Sequence, residues 1–234
     1  ALTEFNGMFA FAYWNQARRE LTMARDRMGI KPLYYAHADN MVVFSSEVRS
    51  LLASDWIERK HDPVGLADYL RYQTVHAPRT IVKGVSLLPA GHWMRLQGEE
   101  TETGRWWDPA AAATPSGRSR KEELARIHEA LSRSVELRLR SDVPLGAFLS
   151  GGIDSSAIVG LMKQATEQRI STFSVTFNEG EFDESPYSRL IAERFDTDHH
   201  EIRLTPDAFL EEVPAALEAM DHPSGDGPNT YVVS

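Results

Sequence analysis

The most constraining feature of this sequence is the stretch LSGGIDSS, residues 149–156, which separates an apolar run from an apolar-periodic segment. The run at residues 143–149 is short and almost wholly apolar, which predicts a β-strand covered on both faces. Apolar residues then recur at helical spacing from Ile158 to Ala165, which predicts a helix. The sequence therefore predicts a strand, a glycine-rich turn and a helix in direct succession.

A turn of this kind is a predicted anion site. The N–H groups of a first helical turn have no intrahelical acceptor, and the helix dipole favours negative charge there. The two glycines let the main chain approach a ligand closely, and the three serines offer hydroxyl donors. Phosphate is the natural ligand. A lone glycine pair would more simply indicate a tight turn in which Asp154 or Ser155 caps the helix.

Composition limits the class of protein. The chain has 234 residues, 42% of them hydrophobic and 25% charged, which is typical of globular proteins with one large or two modest domains. A formal net charge of −9 argues against nucleic acid as a bulk partner. No apolar stretch approaches the roughly 20 residues of a membrane helix, so we expect no membrane partner and a cytoplasmic location. The absence of cysteine excludes disulfides and a cysteine nucleophile within these residues.

The chain has two textures. Residues 1–55 alternate short apolar strands with polar turns, which is typical of antiparallel hairpins, and residues 80–96 again predict strand. From residue 119 onward predicted strands and helices alternate, which indicates a parallel, doubly wound sheet. A run of small residues between the textures predicts a domain boundary. We therefore expect a first domain at residues 1–109, a linker at 110–118 and a second domain at 119–234.

Several polar residues receive structural interpretations. Ser119 with Glu122 predicts a helical capping box. His199 and His200 are adjacent, so on a strand they face opposite sides and cannot easily share a metal; an ordinary strand edge is the preferred interpretation. Asp183 and the glutamate after it precede a predicted helix, whose dipole they are expected to stabilise rather than act as acid and base.

The segment SGGIDSS resembles, residue for residue, the SGGxDS loop of the N-type ATP pyrophosphatases. In that family the loop grips the pyrophosphate part of ATP, and the enzyme releases pyrophosphate while forming an acyl-adenylate. The resemblance implies that Asp154 helps to hold Mg²⁺. The residues that it implies for the pyrophosphate site are Ser150, Gly151, Gly152, Asp154, Ser155 and Ser156.

The first texture, with FNGMFAFAYW, ARDRMGIKPLYY and FSSEVRSLL, looks like the second half of a glutaminase domain of the N-terminal-nucleophile type. Its coupling to an SGGIDSS domain is the layout of the glutamine-dependent asparagine synthetase family, and the resemblance covers nearly the whole chain. It implies a two-domain α+β and α/β fold. A partial glutaminase-like antiparallel β-sandwich with helices would precede a partial doubly wound parallel sheet of the adenine-nucleotide α-hydrolase type.

The resemblance also implies a reaction. With ATP and Mg²⁺ as cofactors, a carboxylate, aspartate by family default, would be adenylated and then amidated by ammonia from glutamine. Leu149 and Val175 would border the adenosine. The implied partners are these small molecules, and a homodimer is compatible with the resemblance. The family's nucleophilic cysteine and its later acidic loop have no counterpart here, so we expect a fragment that cannot hydrolyse glutamine by itself.

Two other functions stay open at this point. Relatives with the same two-domain layout close β-lactams or lasso peptides by adenylating a carboxylate that an internal amine then attacks. From a different class, the chain could be a non-catalytic remnant that serves as a binding or assembly module. ATP-dependent thermal stabilisation in the presence of magnesium would argue against the second alternative.

Overall fold

The structure is a computed structural model that describes residues 1–39, 41–112, 117–177 and 183–233. Within these ranges the chain combines α-helices with antiparallel and parallel sheets, as expected for a two-domain α+β protein.

The described chain divides into two compact units. One contains residues 1–112 and 215–232, and the other contains residues 117–214. Four residues of the predicted linker, 113–116, lie outside the described residues, and the first positions of that linker belong to a short helix. The predicted domain bounds at 1–109, 110–118 and 119–234 therefore stay a prediction.

The first unit is built on two antiparallel sheets. A four-stranded sheet has the order β1-β2-β6-β7, and a three-stranded sheet has the order β4-β3-β5. The predicted hairpins are present as β1–β2 and β3–β4. After a 3-10 turn at Leu2–Glu4, the elements are β1 (Ala10–Asn15), β2 (Glu20–Arg25), β3 (Tyr34–Ala38), β4 (Met41–Ser45), α1 (Val48–Ala53), α2 (Pro63–Tyr72), β5 (Val85–Leu87), β6 (His92–Gln97), β7 (Glu100–Arg105) and α3 (Pro109–Ala112).

Residues 80–96 do not form the continuous strand that the sequence predicts. They form β5, which pairs with β3, and β6, which pairs with β2 in the other sheet. Pro89 between them has no N–H to donate to a ladder. Gly91 has φ +65°, and a Cβ there would lie 2.6 Å from the carbonyl oxygen of Trp107. The chain therefore leaves one sheet and enters the other at this turn.

The connection from β2 to β3 is organised by two buried charged neighbours, Arg25 and Asp26. Asp26 is 1% exposed, and its carboxylate accepts hydrogen bonds from four backbone N–H groups. The guanidinium of Arg25 donates to three backbone carbonyl oxygens. The N–H donors are those of Phe9, Met28, Ile30 and Lys31, and the carbonyl acceptors are those of Gly29, Lys31 and Leu88. These contacts pair much of the turn's polar backbone within the protein.

The late segment at residues 215–232 also packs within the first unit. The Asp221 carboxylate accepts from the N–H groups of Val48 and Arg49, at 2.7 and 2.8 Å, and so caps α1. The ring of His222 accepts from the N–H of Ile81 at 3.3 Å. Burial lowers the pKa of His222, in keeping with a neutral ring in that acceptor role.

The second unit is built on a three-stranded parallel sheet of order β10-β9-β8. The predicted capping box of Ser119 and Glu122 begins its longest helix. The elements are α4 (Arg120–Arg138), β8 (Gly146–Phe148), α5 (Ile153–Ala165), β9 (Ser171–Thr176), α6 (Ser185–Phe195), β10 (Asp198–Arg203) and α7 (Pro206–Ala219). The last residues of α7, from 215 on, belong to the late segment of the first unit, which also contains most of α8 (Gly227–Val233).

The strand before the glycine-rich turn differs from its prediction. The sequence predicts a strand over residues 143–149 that is covered on both faces, whereas β8 has three residues. Phe148 is 60% exposed and Val143 is 63% exposed. Within the described chain β8 is an edge strand that pairs with β9 alone, so its outer side has no neighbour there. An apolar sequence alone does not reveal whether both sides of a strand are paired.

Candidate functional site

Residues 149–156 connect β8 to α5 at the carboxyl edge of the parallel sheet. Leu149 is fully buried, and its N–H donates to the carbonyl of Phe173 at 2.7 Å, which extends the β8–β9 ladder by one residue. The helix begins at Ile153 with Gly152 as N-cap, ahead of the apolar positions from Ile158 onward that predict it. Asp154 therefore lies in the first turn of α5 and does not cap it.

Gly151 meets two requirements that only glycine satisfies. Its φ of +80° lies in the left-handed region. A Cβ at this position would also lie 2.5 Å from the Cβ of Tyr187 and 2.7 Å from the backbone nitrogen of Ser188. The turn is therefore packed directly against the backbone of α6.

The serine hydroxyls of the turn fold inward. Ser156 Oγ donates to the carbonyl of Gly152 at 2.7 Å, and Ser155 Oγ donates to the same oxygen at 3.2 Å. Ser150 Oγ lies 3.1 Å from Ser155 Oγ. Among the described residues no side chain caps the N-terminus of α5, so the N–H groups of its first turn point to the carboxyl edge without a protein acceptor. This arrangement can bind an anion.

Asp154 carries the one carboxylate of the turn, and it is exposed. Within the described ranges there is no cluster of three His, Cys, Asp or Glu side chains that could hold a metal ion. Magnesium, however, commonly uses one or two carboxylates and completes its shell with substrate phosphates and water. The donor set of this turn therefore fits a nucleotide-bound Mg²⁺ and does not fit a metal held by protein ligands alone.

The remaining predicted site residue, Val175, lies on β9 and is partly buried. It is two positions beyond Phe173, the residue whose carbonyl accepts from Leu149. All the residues that the sequence analysis assigns to the site thus lie along one carboxyl edge of the parallel sheet, which is where ligands bind in sheets of this kind. Their individual roles stay predictions.

Comparisons with known proteins agree with this arrangement. Residues 1–107 match the family model of the glutamine amidotransferase domain, and residues 126–233 match the family model of asparagine synthase. The chain belongs to the asparagine synthetase family. The α5 turn lies in the part of the chain that the asparagine synthase model covers, and the two antiparallel sheets lie in the part that the amidotransferase model covers.

Curated relatives match almost the whole chain. A protein named putative asparagine synthetase [glutamine-hydrolyzing] 2, from Methanocaldococcus jannaschii, is 34% identical over 99% of this chain and 46% of its own length. Asparagine synthetase [glutamine-hydrolyzing] 1 from Bacillus subtilis is 32% identical over 97% of this chain and 35% of its own length. Amidase chry2 from Gibberella zeae is 32% identical over 89% of this chain. The chain thus spans less than half the length of the asparagine synthetase relatives that it matches.

The structure places several other polar residues as the sequence predicts. His199 and His200 face opposite sides of β10, with His200 stacked on Phe173 at 5.1 Å between ring centroids. At the start of α6 the Asp183 carboxylate accepts from the N–H of Ser185 at 3.1 Å, a contact that suits a helix N-terminus. No helix in the described part of this family member is long and apolar enough to cross a membrane.

The sequence does not reveal the part that α6 plays at the site. Tyr187 and Ser188 lie against Gly151, but neither belongs to the SGGIDSS segment. The signal available in the sequence is the glycine itself, because a glycine in such a turn often permits a close backbone approach. That signal does not reveal which segment approaches, since the contact depends on how α6 packs on the sheet.

Proposed function

We propose that the protein carrying this chain is a glutamine-dependent amidotransferase of the asparagine synthetase type. It adenylates a carboxylate, aspartate by family default, releases pyrophosphate, and amidates the acyl-adenylate with ammonia derived from glutamine. The observation that carries the proposal is the uncapped N-terminus of α5, which lies within the SGGIDSS segment at the carboxyl edge of a parallel sheet.

The finer fold assignment belongs to the same proposal. The two antiparallel sheets of the first unit are part of a glutaminase-like sandwich of the N-terminal-nucleophile type. The parallel sheet of the second unit is part of a doubly wound sheet of the adenine-nucleotide α-hydrolase type. The matches to the two family models and the parallel pairing of β8, β9 and β10 support this assignment.

Within this reaction the turn stabilises the leaving group. A carboxylate oxygen attacks the α-phosphorus of ATP, the bond to the β-phosphate oxygen breaks, and negative charge builds up on pyrophosphate. The N–H groups of the first turn of α5 are fixed donors for that charge. Ser150, Ser155 and Ser156 add hydroxyl donors once they rotate away from the Gly152 carbonyl and from one another. Leu149 and Val175 border the adenosine.

The exposed carboxylate of Asp154 would hold Mg²⁺ together with the phosphates of the nucleotide. The bound ion would supply neutralising charge at the phosphates. The position of Asp154 in the first turn of α5, beside the uncapped N–H groups, supports this role.

The test compares two first-turn aspartates in the full-length protein. Asp154→Ala should weaken binding of Mg²⁺–ATP by at least about a hundredfold, as expected for loss of a charged ligand, while the fold is retained. Asp207→Ala is the matched control, since Asp207 is also an exposed acid in the first turn of a helix, α7, and should leave affinity unchanged. Calorimetric titration measures both. Equal affinity for ATP in the Asp154 variant and the parent would refute the assigned role.

The acceptor is tested separately, by aspartate-dependent exchange of labelled pyrophosphate into ATP. Exchange that requires aspartate supports the family default. If exchange requires a different carboxylate, the proposed adenylation is supported, but aspartate is not the acceptor. Absence of both ATP binding and exchange would favour the non-catalytic alternative.

A further inference from the structure

Strand β9, next to the Ser150–Ser156 turn, buries hydroxyl groups on a face where a sheet usually buries apolar side chains. Thr172, Ser174 and Thr176 alternate along β9 and are all buried, whereas Phe173 and Val175 on the opposite face are only partly buried. Buried hydroxyls require hydrogen-bond partners. A sequence of this pattern would ordinarily place its phenylalanine and valine in the core, so the inverted arrangement calls for a polar structure on the α6 side.

His199 on β10 is the centre of that polar structure. Its Nδ1 lies 2.9 Å from Thr172 Oγ1, and its Nε2 lies 3.2 Å from Ser174 Oγ. Thr172 Oγ1 is also 2.8 Å from Thr197 Oγ1. Burial lowers the pKa of His199, in keeping with a neutral ring in which one nitrogen donates and the other accepts. Because hydroxyls can do either, both sides of the ring are satisfied.

The chain of hydrogen bonds continues from Ser174 into α6. The hydroxyl of Ser188, 1% exposed, donates to the Ser185 carbonyl at 3.1 Å and lies 3.5 Å from Ser174 Oγ. The backbone nitrogen of Ser188 is one of the atoms that a Cβ at Gly151 would strike. The polar row therefore runs from His199 through Ser174 and Ser188 to the back of the glycine turn.

We infer that His199 is a positioning residue for the Ser150–Ser156 turn: through Ser174 and Ser188 it seats the first turns of α6 against Gly151 and so fixes the geometry of the phosphate donors. The inference rests on the proposed function of that turn. A second tie between α6 and β10 exists on the exposed side, where Arg189 donates twice to Glu201 at 2.7 Å. That pair does not touch Gly151, and exposure weakens it.

Two substitutions of His199 separate the contact of Nδ1 with Thr172 from the contact of Nε2 with Ser174. The terminal amide of glutamine reaches about as far from the backbone as Nε2, and that of asparagine about as far as Nδ1. His199→Gln should therefore keep the contact to Ser174, while His199→Asn should keep only the contact to Thr172. Thr197→Val is the matched control, because it removes the distant hydroxyl of the same row and leaves the contact with Ser174 intact.

Two measurements on the full chain are made for each variant. One is the affinity for Mg²⁺–ATP, and the other is the rate of amide hydrogen exchange at residues 150–156 without nucleotide. The His199→Asn variant should bind Mg²⁺–ATP about tenfold more weakly, because a hydrogen bond that supports the binding groups is lost. Its amide hydrogens at residues 150–156 should also exchange faster. His199→Gln and Thr197→Val should stay within about twofold of the parent in both.

The outcomes distinguish this inference from the function on which it rests. Equal effects of His199→Gln and His199→Asn on the turn, or no effect of either, would overturn the positioning role. If the parent protein binds no ATP, the proposed function is wrong. If amide exchange at residues 150–156 is nevertheless faster in His199→Asn than in His199→Gln, the positioning role of the contact with Ser174 is still supported. If Thr197→Val disturbs the turn as strongly as His199→Asn, the row acts only through general stability, and the inference is wrong.

Discussion

Two turns of this molecule gather backbone N–H groups, and they differ in what accepts from those groups. In the turn after β2, four N–H groups converge on the carboxylate of Asp26, which belongs to the protein and is buried. In the turn before α5, the N-terminal N–H groups meet no capping side chain among the described residues, and the only carboxylate, that of Asp154, is exposed.

The same physical device therefore serves two purposes. Where the anion is a side chain of the protein, as with Asp26, the N–H donors already have their acceptor. That turn therefore stabilises the fold and leaves no donors for a ligand. Where the anion is absent from the chain, the donors and the helix dipole remain available for a ligand. The comparison predicts that substitutions at the first turn act on the free energy of unfolding, and that substitutions at the second act mainly on the affinity for phosphate ligands.

The largest effect is expected for Asp26→Ala. Removing the carboxylate leaves four backbone N–H groups without their acceptor at a buried position, so the first unit should lose about 3–5 kcal/mol of unfolding free energy. All five tryptophans lie within residues 1–107, so tryptophan fluorescence in urea reports on this unit. Glu99→Ala removes an exposed carboxylate from the same unit and should change stability by less than about 0.5 kcal/mol.

A small loss in the Asp26 variant, comparable to that of the Glu99 control, would contradict the view that the carboxylate organises the turn. If Asp26→Ala does not fold, Asp26→Asn provides the measurement. The asparagine oxygen can still accept hydrogen bonds but its amide nitrogen cannot, so an intermediate loss is expected.

The second prediction concerns Gly151→Ala. A Cβ there must displace the backbone of α6 or the turn, and the positive φ adds strain of about 1–2 kcal/mol. We expect affinity for Mg²⁺–ATP to fall by at least about tenfold as the donors move. Gly117→Ala is the control, because Gly117 also has positive φ, +51°, but a Cβ there meets nothing within 4 Å. It isolates backbone strain from the clash.

Calorimetric titration with ATP, together with thermal unfolding, checks this pair. Unchanged ATP affinity in Gly151→Ala would show that the close approach of α6 has no bearing on the ligand site. A loss of affinity in Gly117→Ala as large as in Gly151→Ala would assign the effect to general instability of the second unit.

Local signals in the sequence predict the features of the molecule that depend on neighbouring residues. The SGGIDSS segment located the open turn, and the capping box at Ser119 and Glu122 begins α4 as predicted. The Asp62 carboxylate, directly before Pro63, accepts from the N–H groups of Val64 and Gly65 at the start of α2. These features depend on residues within one turn of each other, so a short stretch of sequence contains all the information that they need.

The features that the sequence did not predict depend on contacts between distant segments. The hydroxyl face of β9 is buried because α6 covers that side, and Gly151 is confined by Tyr187, which is far along the chain. Likewise, the acceptor for the first N–H groups of α1 is Asp221, more than 170 positions away. Periodicity reports which residues share a face, but the packing of other elements decides which face is buried.

The smallest effect expected is the response of the first unit to acid. Burial alone would raise the pKa of Asp26, but the four N–H donors outweigh it, and the pKa lies below its usual value. A carboxylate with a lowered folded pKa stabilises the fold fully above its unfolded pKa of about 4, and this contribution is lost as pH falls through the folded pKa. Tryptophan-monitored stability should therefore decline below about pH 4, and Asp26→Asn should reduce that decline.

His222 provides an internal comparison for the same titration. Burial lowers its pKa, so its contribution is complete above the unfolded value of about 6.5 and begins to fall at higher pH than that of Asp26. A decline that begins below about pH 6.5 and persists in Asp26→Asn then belongs to the histidine, and the decline that begins below about pH 4 belongs to the carboxylate. An identical profile below about pH 4 in the parent and in Asp26→Asn would mean that the built-in anion is not what acid removes. The contrast between the closed turn and the open one would then need another cause.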